Sequence, residues 1–195
     1  MEIVPAILTD NRRELEEWLV RLKEIKKFER VQIDFIDGEY ANNLTVRPSD
    51  VDLLPYLPML FDAHLMVTEK NISVWSGEAT RVGFDRVIAQ MESISQPEIF
   101  KGLAMDVHSP VEAIQPYLPK LEAVVVMAVE PGFSGQEFVN LAVEHLKQLI
   151  GYRKKYDLKY KICVDGGVDD IHLPFLEKWG ADEVAVGVRR VLEWL

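Results

Sequence analysis

Short apolar segments of strand length alternate along the chain with segments whose apolar residues recur at helical spacing. This alternation is typical of a parallel sheet covered by helices. The apolar segments predicted as strands number eight and are Glu2–Leu8, Arg30–Ile36, Phe61–Val67, Asp85–Gln90, Gly102–Val107, Ala123–Glu130, Lys161–Val164 and Glu183–Val188.

Two of the intervening segments carry a strong helical pattern. Apolar residues at i, i+3, i+4 and i+7 predict helices over Arg12–Phe28, with Asp10 or Asn11 as the N-cap, and over Leu141–Tyr156. The weaker patterns predict helices at Pro55–Leu60, Ile72–Val82, Val111–Leu118 and Ile171–Trp179. The link Ser93–Lys101 is too short for more than a turn or two.

Eight strand-then-helix units in succession predict an α/β fold, a single (β/α)8 TIM barrel over residues 1–195. A chain of 195 residues suits one domain, since domains take roughly 100–200 residues each. The barrel usually needs at least about 200 residues, so we expect shortened connections. The alternative is an open doubly wound sheet, but the chain lacks a Gly-x-Gly-x-x-Gly turn after the first strand and a Gly-x-x-x-x-Gly-Lys loop.

Composition and net charge limit the classes of molecule that the protein can bind. The 32 acidic and 22 basic residues leave a net charge of -10, which repels nucleic acid and anionic membranes. The sequence has no apolar run near the ~20 residues of a membrane span, no secretory signal and only one cysteine, Cys163. We therefore expect a cytoplasmic protein, in which any anionic ligand needs a local site made of backbone N–H groups.

Polar residues interrupt three strands that should be apolar on both faces. The period of two places Gln32 and Asp34 on one face of their strand, and His64 with Met66 on one face of the next. Asp165 closes the seventh strand. A single buried Asp or His is usually structural. Three such residues, Asp34, His64 and Asp165, at the same level along three strands favour a functional site at the C-terminal ends of the strands, where such barrels have their active sites.

Glycines follow the last three strands, in the segment Glu130–Gln136, at Gly166 and Gly167, and at Gly187. Glycine lets backbone N–H groups approach an anion without an intervening side chain, and loops after the last barrel strands often bind phosphate. Each glycine alone indicates only a turn, but their joint position predicts a phosphate site.

With these residues in place, the sequence resembles the ribulose-phosphate 3-epimerase family over nearly its whole length. The matching motifs are Pro5-Ala6-Ile7-Leu8, Ile33-Asp34-Phe35-Ile36-Asp37-Gly38, Asn43-Leu44-Thr45, His64-Leu65-Met66-Val67, Val126-Met127 with Val129-Glu130-Pro131-Gly132-Phe133-Ser134-Gly135-Gln136, and Val164-Asp165-Gly166-Gly167. The resemblance implies a ribulose-phosphate-binding TIM barrel that inverts the carbon next to the ketone of a pentulose phosphate, converting ribulose 5-phosphate to xylulose 5-phosphate. It also implies a homo-oligomer.

The resemblance assigns roles to individual residues. It makes Asp34 and Asp165 the catalytic acid and base, because a single base would return the proton to the face it came from. It implies a divalent metal (zinc, manganese, iron or magnesium) held by Asp34, His64, Asp165 and the residue at position 32. The residues implied to contact substrate and phosphate are Gly132, Phe133, Ser134, Gly135, Gly166, Gly167, Gly187, Val188, Met66 and Met127.

Several substrate-facing positions depart from the family pattern. Gln32 stands where the family has a metal-ligand histidine, and an amide oxygen is a poorer ligand for zinc than for manganese or magnesium. Ala6 replaces a serine, and Ile36 replaces a methionine. Val188 replaces a serine at the phosphate, followed by Arg189 and Arg190, one of which could supply a charged substitute. The family's Asn-Pro after the fifth strand is also absent.

Two main hypotheses follow. The first is a divergent epimerase that uses Asp34 and Asp165 with a weakened or different metal site. The second is a non-catalytic homologue or subunit that binds a sugar phosphate. Retention of both aspartates and His64 favours the first, because a binding protein has no need of two carboxylates that repel each other. Another reaction on a phosphorylated sugar in the same barrel is a third possibility.

Overall fold

The computed structural model describes all residues 1–195 and contains a closed barrel of eight parallel strands in sequence order. Each strand pairs with its sequence neighbours, and β8 closes the barrel against β1. The strands are β1 Glu2–Ile7, β2 Arg30–Ile36, β3 Leu60–Met66, β4 Arg86–Gln90, β5 Gly102–Met105, β6 Ala123–Met127, β7 Lys161–Asp165 and β8 Glu183–Gly187. The predicted α/β class and TIM barrel are confirmed.

Helices of very different length cover the barrel. They are α1 Arg12–Ile25, α2 Glu69–Val82, α3 Val111–Ile114, α4 Leu141–Lys155, α5 Leu173–Trp179 and α6 Val188–Glu193. Asn11 is the N-cap of α1, and its side chain accepts hydrogen bonds from the backbone N–H groups of Arg13 and Glu14. The connection between β4 and β5 holds only the short 3-10 turns Met91–Ser93 and Pro97–Ile99, as the shortened link predicted.

The helix predicted at Pro55–Leu60 is wrong. The segment contains a single 3-10 turn at Leu54–Tyr56, and Leu60 already belongs to β3. Pro55 is tolerated in the first turn of a helix, but Pro58 lies in the interior of the predicted segment, where its missing N–H and its ring interrupt a helix. The helix predicted at Val111–Leu118 is likewise reduced to one α-helical turn, Val111–Ile114, followed by a 3-10 turn at Leu118–Lys120.

Two apolar clusters separate the inside of the barrel from its outside. The larger cluster lies between the strands and the helices and includes Val31, Ile33 and Phe35 of β2. The smaller cluster lies inside the barrel and consists of Ala6, Ile88, Ala104, Val125, Met127, Val129, Cys163 and Ala185. Alternate residues of each strand thus face the helices and the interior. This alternation directs Gln32 and Asp34 away from the helices.

Buried ion pairs fill the N-terminal end of the barrel interior. Arg86 at the start of β4 donates hydrogen bonds to Asp62 of β3 and to Glu183 of β8. Arg30 also pairs with Asp62, and Lys161 lies 2.8 Å from Glu183. Asp62 therefore has a structural role, and the candidate catalytic residues lie at the opposite, C-terminal end of the barrel interior.

No helix of the structure combines the length and the apolar character that crossing a membrane requires.

Candidate functional site

A cavity of about 410 Å³ opens at the C-terminal ends of the strands. Asp34 and Asp165 line it together with Met66 and Met127. The predicted loop residues also line it, namely Gly132, Phe133, Ser134, Gly135, Gly166, Gly167, Gly187 and Val188. The fold thus brings together at one cavity residues that are more than 150 positions apart in the chain.

Asp34, His64 and Asp165 form a compact group at the floor of this cavity. Asp34 and His64 are register partners on β2 and β3, while Asp165 ends β7. His64 Nδ1 lies 3.2 Å from Asp34 Oδ1 and 3.5 Å from Asp165 Oδ2. The His64 side chain is fully buried, whereas both carboxylates keep a small exposed area. Ligands in the cavity can therefore reach the aspartates before they reach the imidazole.

Gln32 reaches the same group from β2 and is only 2% exposed. Its amide Nε2 donates to Asp34 Oδ1 over 2.8 Å and to Asp165 Oδ2 over 2.7 Å. The same nitrogen lies 3.4 Å from His64 Nδ1. The amide NH₂ group thus stands among the three side chains and uses both of its hydrogens on the carboxylates.

Burial and mutual contact alter the acidity of this group. Burial raises the pKa of the Asp34 carboxyl, and the negative charge of Asp165 raises it further. Hydrogen bonds from His64 and Gln32 act in the opposite direction but do not outweigh burial. Burial by itself would lower the pKa of His64. Its hydrogen bonds with Asp165 and Asp34, together with their charges, outweigh burial and raise the pKa to about 10. The two carboxylates thus favour the protonated form of the imidazole.

A second glutamine, Gln90, contacts the imidazole nitrogen of His64 that faces away from the aspartates, and the sequence analysis did not identify it. The side chain of Gln90, at the end of β4, is fully buried and its Oε1 accepts a hydrogen bond from His64 Nε2 at 3.0 Å. Gln90 donates in turn to Asp106, which accepts a hydrogen bond from the Tyr40 hydroxyl at 2.8 Å. The signal for Gln90 was a polar residue in a buried strand, the same that singled out Gln32. Tyr40 lies in a loop and carried no such signal.

The glycine loops present free backbone donors to the cavity. The N–H groups of Gly135, Gly166 and Gly167 donate no hydrogen bond within the protein. A Cβ on Gly167 would lie 2.6 Å from the backbone nitrogen of Phe138, and its φ of +64° also favours glycine. Asn43 holds the loop after β6 in place by donating to the carbonyl of Gly132 at 2.7 Å.

The two arginines after β8 are already paired with acidic residues. Arg189 contacts Glu14 of α1 at 2.6 Å, and Arg190 contacts Asp169 at 2.7 Å. Both arginines and Glu14 line the cavity. Sequence reasoning did not identify Glu14, because an acidic residue in the first turn of a helix is common.

Asp34, His64 and Asp165 could hold a divalent metal ion, since one ligand atom of each lies within 4.8 Å of the others. Gln32 turns its amide nitrogen toward them, and that nitrogen is a donor that does not bind cations. Its amide oxygen accepts no hydrogen bond within the protein, so a half-turn of the amide would present this oxygen as a fourth ligand. Two carboxylates, an imidazole and an amide oxygen fit a hard divalent cation better than zinc.

Sequence comparison places this barrel among known proteins. A sequence model of the ribulose-phosphate 3-epimerase family matches residues 2–190. The ribulose-phosphate 3-epimerase of Helicobacter pylori is 27% identical over 198 residues, covering 96% of this chain and 89% of its own length. That of Methanocaldococcus jannaschii is 32% identical over 178 residues, covering 82% of this chain and 74% of its own length.

Solved structures agree on the fold alone, because their sequences are distant. Dihydrodipicolinate synthase from Oceanobacillus iheyensis has a TM-score of 0.64 at 12% identity and covers 98% of this chain and 69% of its own. A chain of the tryptophan synthase complex from Pyrococcus furiosus has a TM-score of 0.63 at 14% identity, with 99% and 90% covered. With a family match over residues 2–190 and an epimerase relative at 32% identity, the chain belongs to the ribulose-phosphate 3-epimerase family, whose members are isomerases.

Proposed function

We propose that this chain inverts the carbon next to the ketone of a pentulose phosphate, converting ribulose 5-phosphate to xylulose 5-phosphate. The observation that carries the proposal is the pair Asp34 and Asp165, which reach one cavity from β2 and β7 with ligand atoms within 4.8 Å of each other. Family membership supports the same activity. The single domain of residues 1–195 fits, because the eight strands close into one barrel.

In this mechanism the two aspartates act on opposite faces of the substrate carbon. One carboxylate oxygen removes the proton from one face, and the carboxylic acid of the other aspartate delivers a proton to the opposite face. Burial favours this chemistry, because it raises the pKa of Asp34 and so makes its carboxylate a stronger base. His64 lies beside both, with Nδ1 3.2 Å from Asp34 and 3.5 Å from Asp165, and helps to hold the two carboxylates in place.

The phosphate of the substrate would bind at the glycine loops. The free N–H groups of Gly135, Gly166 and Gly167 supply donors without positive side chains. Gly132, Phe133, Ser134, Gly187 and Val188 complete the wall of this part of the cavity. Met66 and Met127 line the same cavity, and in this proposal they pack against the sugar carbons.

A divalent cation would be held by Asp34, His64, Asp165 and the amide oxygen of Gln32 after the amide turns. When bound, it supplies a Lewis acid toward the substrate oxygens. Manganese, magnesium or iron suit this ligand set better than zinc. The homo-oligomer implied by the family resemblance and the cytoplasmic location expected from the sequence stay predictions.

The proposal is tested by a coupled assay of ribulose 5-phosphate epimerisation with the metal content of each sample measured. We expect Asp34→Asn and Asp165→Asn each to lose about 10²–10⁴-fold in kcat, the usual contribution of a positioned acid or base. The matched control is Asp157→Asn, an exposed residue before β7, which should keep full activity.

Deuterium exchange separates two bases from one. In D₂O, the variant that keeps the base facing the substrate proton should still exchange that hydrogen without inverting the carbon. Wild-type activity in either Asn variant would contradict the proposed roles of the two aspartates.

A non-catalytic sugar-phosphate-binding homologue is the second candidate. It is favoured by the substitution at Gln32, whose amide nitrogen engages both carboxylates, and by Ala6 in the cavity wall. Under this alternative, calorimetry shows ribulose 5-phosphate binding while the coupled assay shows no turnover with manganese, magnesium, iron or zinc added.

A further inference from the structure

The amide nitrogen of Gln32 lies among Asp34, His64 and Asp165, the three side chains that could share a cation. Its nitrogen lies 2.8 Å from Asp34, 2.7 Å from Asp165 and 3.4 Å from His64. No other side chain contacts all three residues by hydrogen-bonding distance. Gln32 is 2% exposed, so water does not compete freely for these contacts.

Two buried carboxylates in one site repel each other unless a donor lies between them. A primary amide is suited to this position because its NH₂ group carries two hydrogens that point in different directions. One hydrogen goes to Asp34 and the other to Asp165. The imidazole of a histidine has a single nitrogen to offer at this place, so it could not bridge both carboxylates in this way.

A separate hydrogen bond fixes His64, the remaining member of the group formed by Gln32, Asp34, His64 and Asp165. Gln90 accepts a hydrogen bond from His64 Nε2, which directs Nδ1 toward the carboxylates. His64 Nε2 and both hydrogens of the Gln32 amide thus have acceptors supplied by the chain itself. Hydrogen bonds of the chain itself therefore link Gln32 to both aspartates and His64 to Gln90.

We propose that Gln32 is a positioning residue that replaces a divalent cation in assembling this site. Its amide nitrogen bridges Asp34 and Asp165 and holds them at a fixed separation. A cation enters only by displacing this nitrogen and turning the amide, so metal binding is weak and is not needed to keep the two aspartates together. The link to catalysis rests on the proposed function, whereas the bridge itself does not.

The test compares metal uptake and thermal stability of the whole protein after treatment with a chelator. The variants are Gln32→His, Gln32→Glu and Gln32→Leu, and the control is Gln148→His, which adds an imidazole on the exposed side of α4. Metal content after desalting and the melting temperature are measured without metal and with Zn²⁺ or Mn²⁺ added.

For the wild type and Gln148→His, we expect less than about one-tenth of a metal ion per chain after desalting and little change in melting temperature, because a ligand that binds weakly adds little stability. Gln32→His should retain about one Zn²⁺ per chain, with a melting temperature raised by about 5 °C or more. Gln32→Glu should melt lower than the wild type without metal and recover with Mn²⁺, because a third carboxylate repels the other two.

Stoichiometric metal in the desalted wild type, with a rise in melting temperature as large as that of Gln32→His, would overturn the proposal. So would a metal-free Gln32→Leu protein that melts at the wild-type temperature, since the bridge would then stabilise nothing. If Gln32→Leu does not fold, Gln32→Glu with and without Mn²⁺ decides the matter. None of these readouts uses turnover, so an inactive wild type with the expected metal data would refute the proposed function and leave the bridge standing.

Discussion

At the scale of single residues, the site depends on amide side chains that position ionisable ones. Gln32 contacts both aspartates, and Gln90 contacts the buried imidazole of His64. Hydrogen-bond partners behind a ligand or a catalytic group fix its orientation and its tautomer. Neither glutamine takes part in proton transfer, yet both determine where the groups that do so lie.

Gln90→Leu tests this positioning role. Removing the amide leaves His64 Nε2 without its acceptor and Asp106 without one of its donors. We expect kcat/KM for ribulose 5-phosphate to fall by about 10–100-fold, the usual cost of losing a supporting hydrogen bond of this kind. The fall should lie mainly in kcat, because Gln90 does not line the cavity.

Tyr40→Phe serves as the matched comparison for Gln90→Leu. It removes a hydroxyl that contacts Asp106 and not His64, so its effect should be smaller. An unchanged kcat in Gln90→Leu, or a larger loss in Tyr40→Phe, would contradict the positioning role of Gln90.

At the scale of elements, the loop after β2 is tied to the start of α2 through Asp37. Its carboxylate accepts hydrogen bonds from the backbone and hydroxyl of Thr68 and from the Asn71 amide, as well as from the backbone of its own turn. By residue type alone, the Asp37-Gly38 pair indicates no more than a turn. The same loop carries Asn43, which holds Gly132 in the loop after β6. Asp37 thus helps to hold the loop after β2, whose Asn43 contacts one of the loops that line the cavity.

Asp37 makes stability depend on pH in the acid range. Partial burial acts to raise the pKa of its carboxyl, but hydrogen bonds from Asn71, Thr68, Tyr40 and Glu39 outweigh burial and lower the pKa from 3.8 to about 2. A carboxyl with a lowered pKa stabilises the fold above its unfolded-state value and loses this contribution as the pH falls toward its folded-state value.

We therefore expect the free energy of unfolding of the wild type to fall between pH 4 and pH 2 more steeply than that of Asp37→Asn. Urea denaturation at a series of pH values measures the difference, with Asp10→Asn as an exposed control. Parallel pH profiles for the wild type and Asp37→Asn would show that the contacts of Asp37 do not favour its charged form.

At the scale of the whole molecule, the two ends of the barrel interior serve different purposes. The C-terminal end carries the cavity with Asp34 and Asp165, and the N-terminal end carries the ion pairs around Arg86. Arg86 joins β4 to Asp62 of β3 and to Glu183 of β8 across the interior. Charged residues inside one barrel therefore divide by height into a structural and a candidate catalytic set.

Arg86→Met should lower the free energy of unfolding by about 3–5 kcal/mol, because it leaves Asp62 and Glu183 buried without this partner. Urea denaturation measures the loss. Arg81→Met on the exposed side of α2 is the control and should change stability by no more than about 0.5 kcal/mol. A change of similar size in both variants would show that the buried ion pairs do not hold the barrel together.

Much of this fold could be predicted from local patterns, because strand and helix periodicity reports which face of an element is buried. The eight strands follow their predicted positions within a few residues, and the shortened β4–β5 connection does too. Prediction failed at Pro55–Leu60, where Pro58 interrupts an otherwise apolar segment. The glycine loops and the aspartates were also identified from the sequence, because strand ends in a barrel meet at one edge.

The sequence by itself determined the barrel, the family and the candidate groups Asp34, His64 and Asp165, because these depend on periodicity, motif and residue type. Only the tertiary structure decided what the substitution at Gln32 does. Whether an amide offers its oxygen or its nitrogen depends on neighbours from β3 and β7, and these are distant in the chain. Gln90, Asp106 and Tyr40 join the site for the same reason, since hydrogen bonds between strands and loops leave no periodic trace in a sequence.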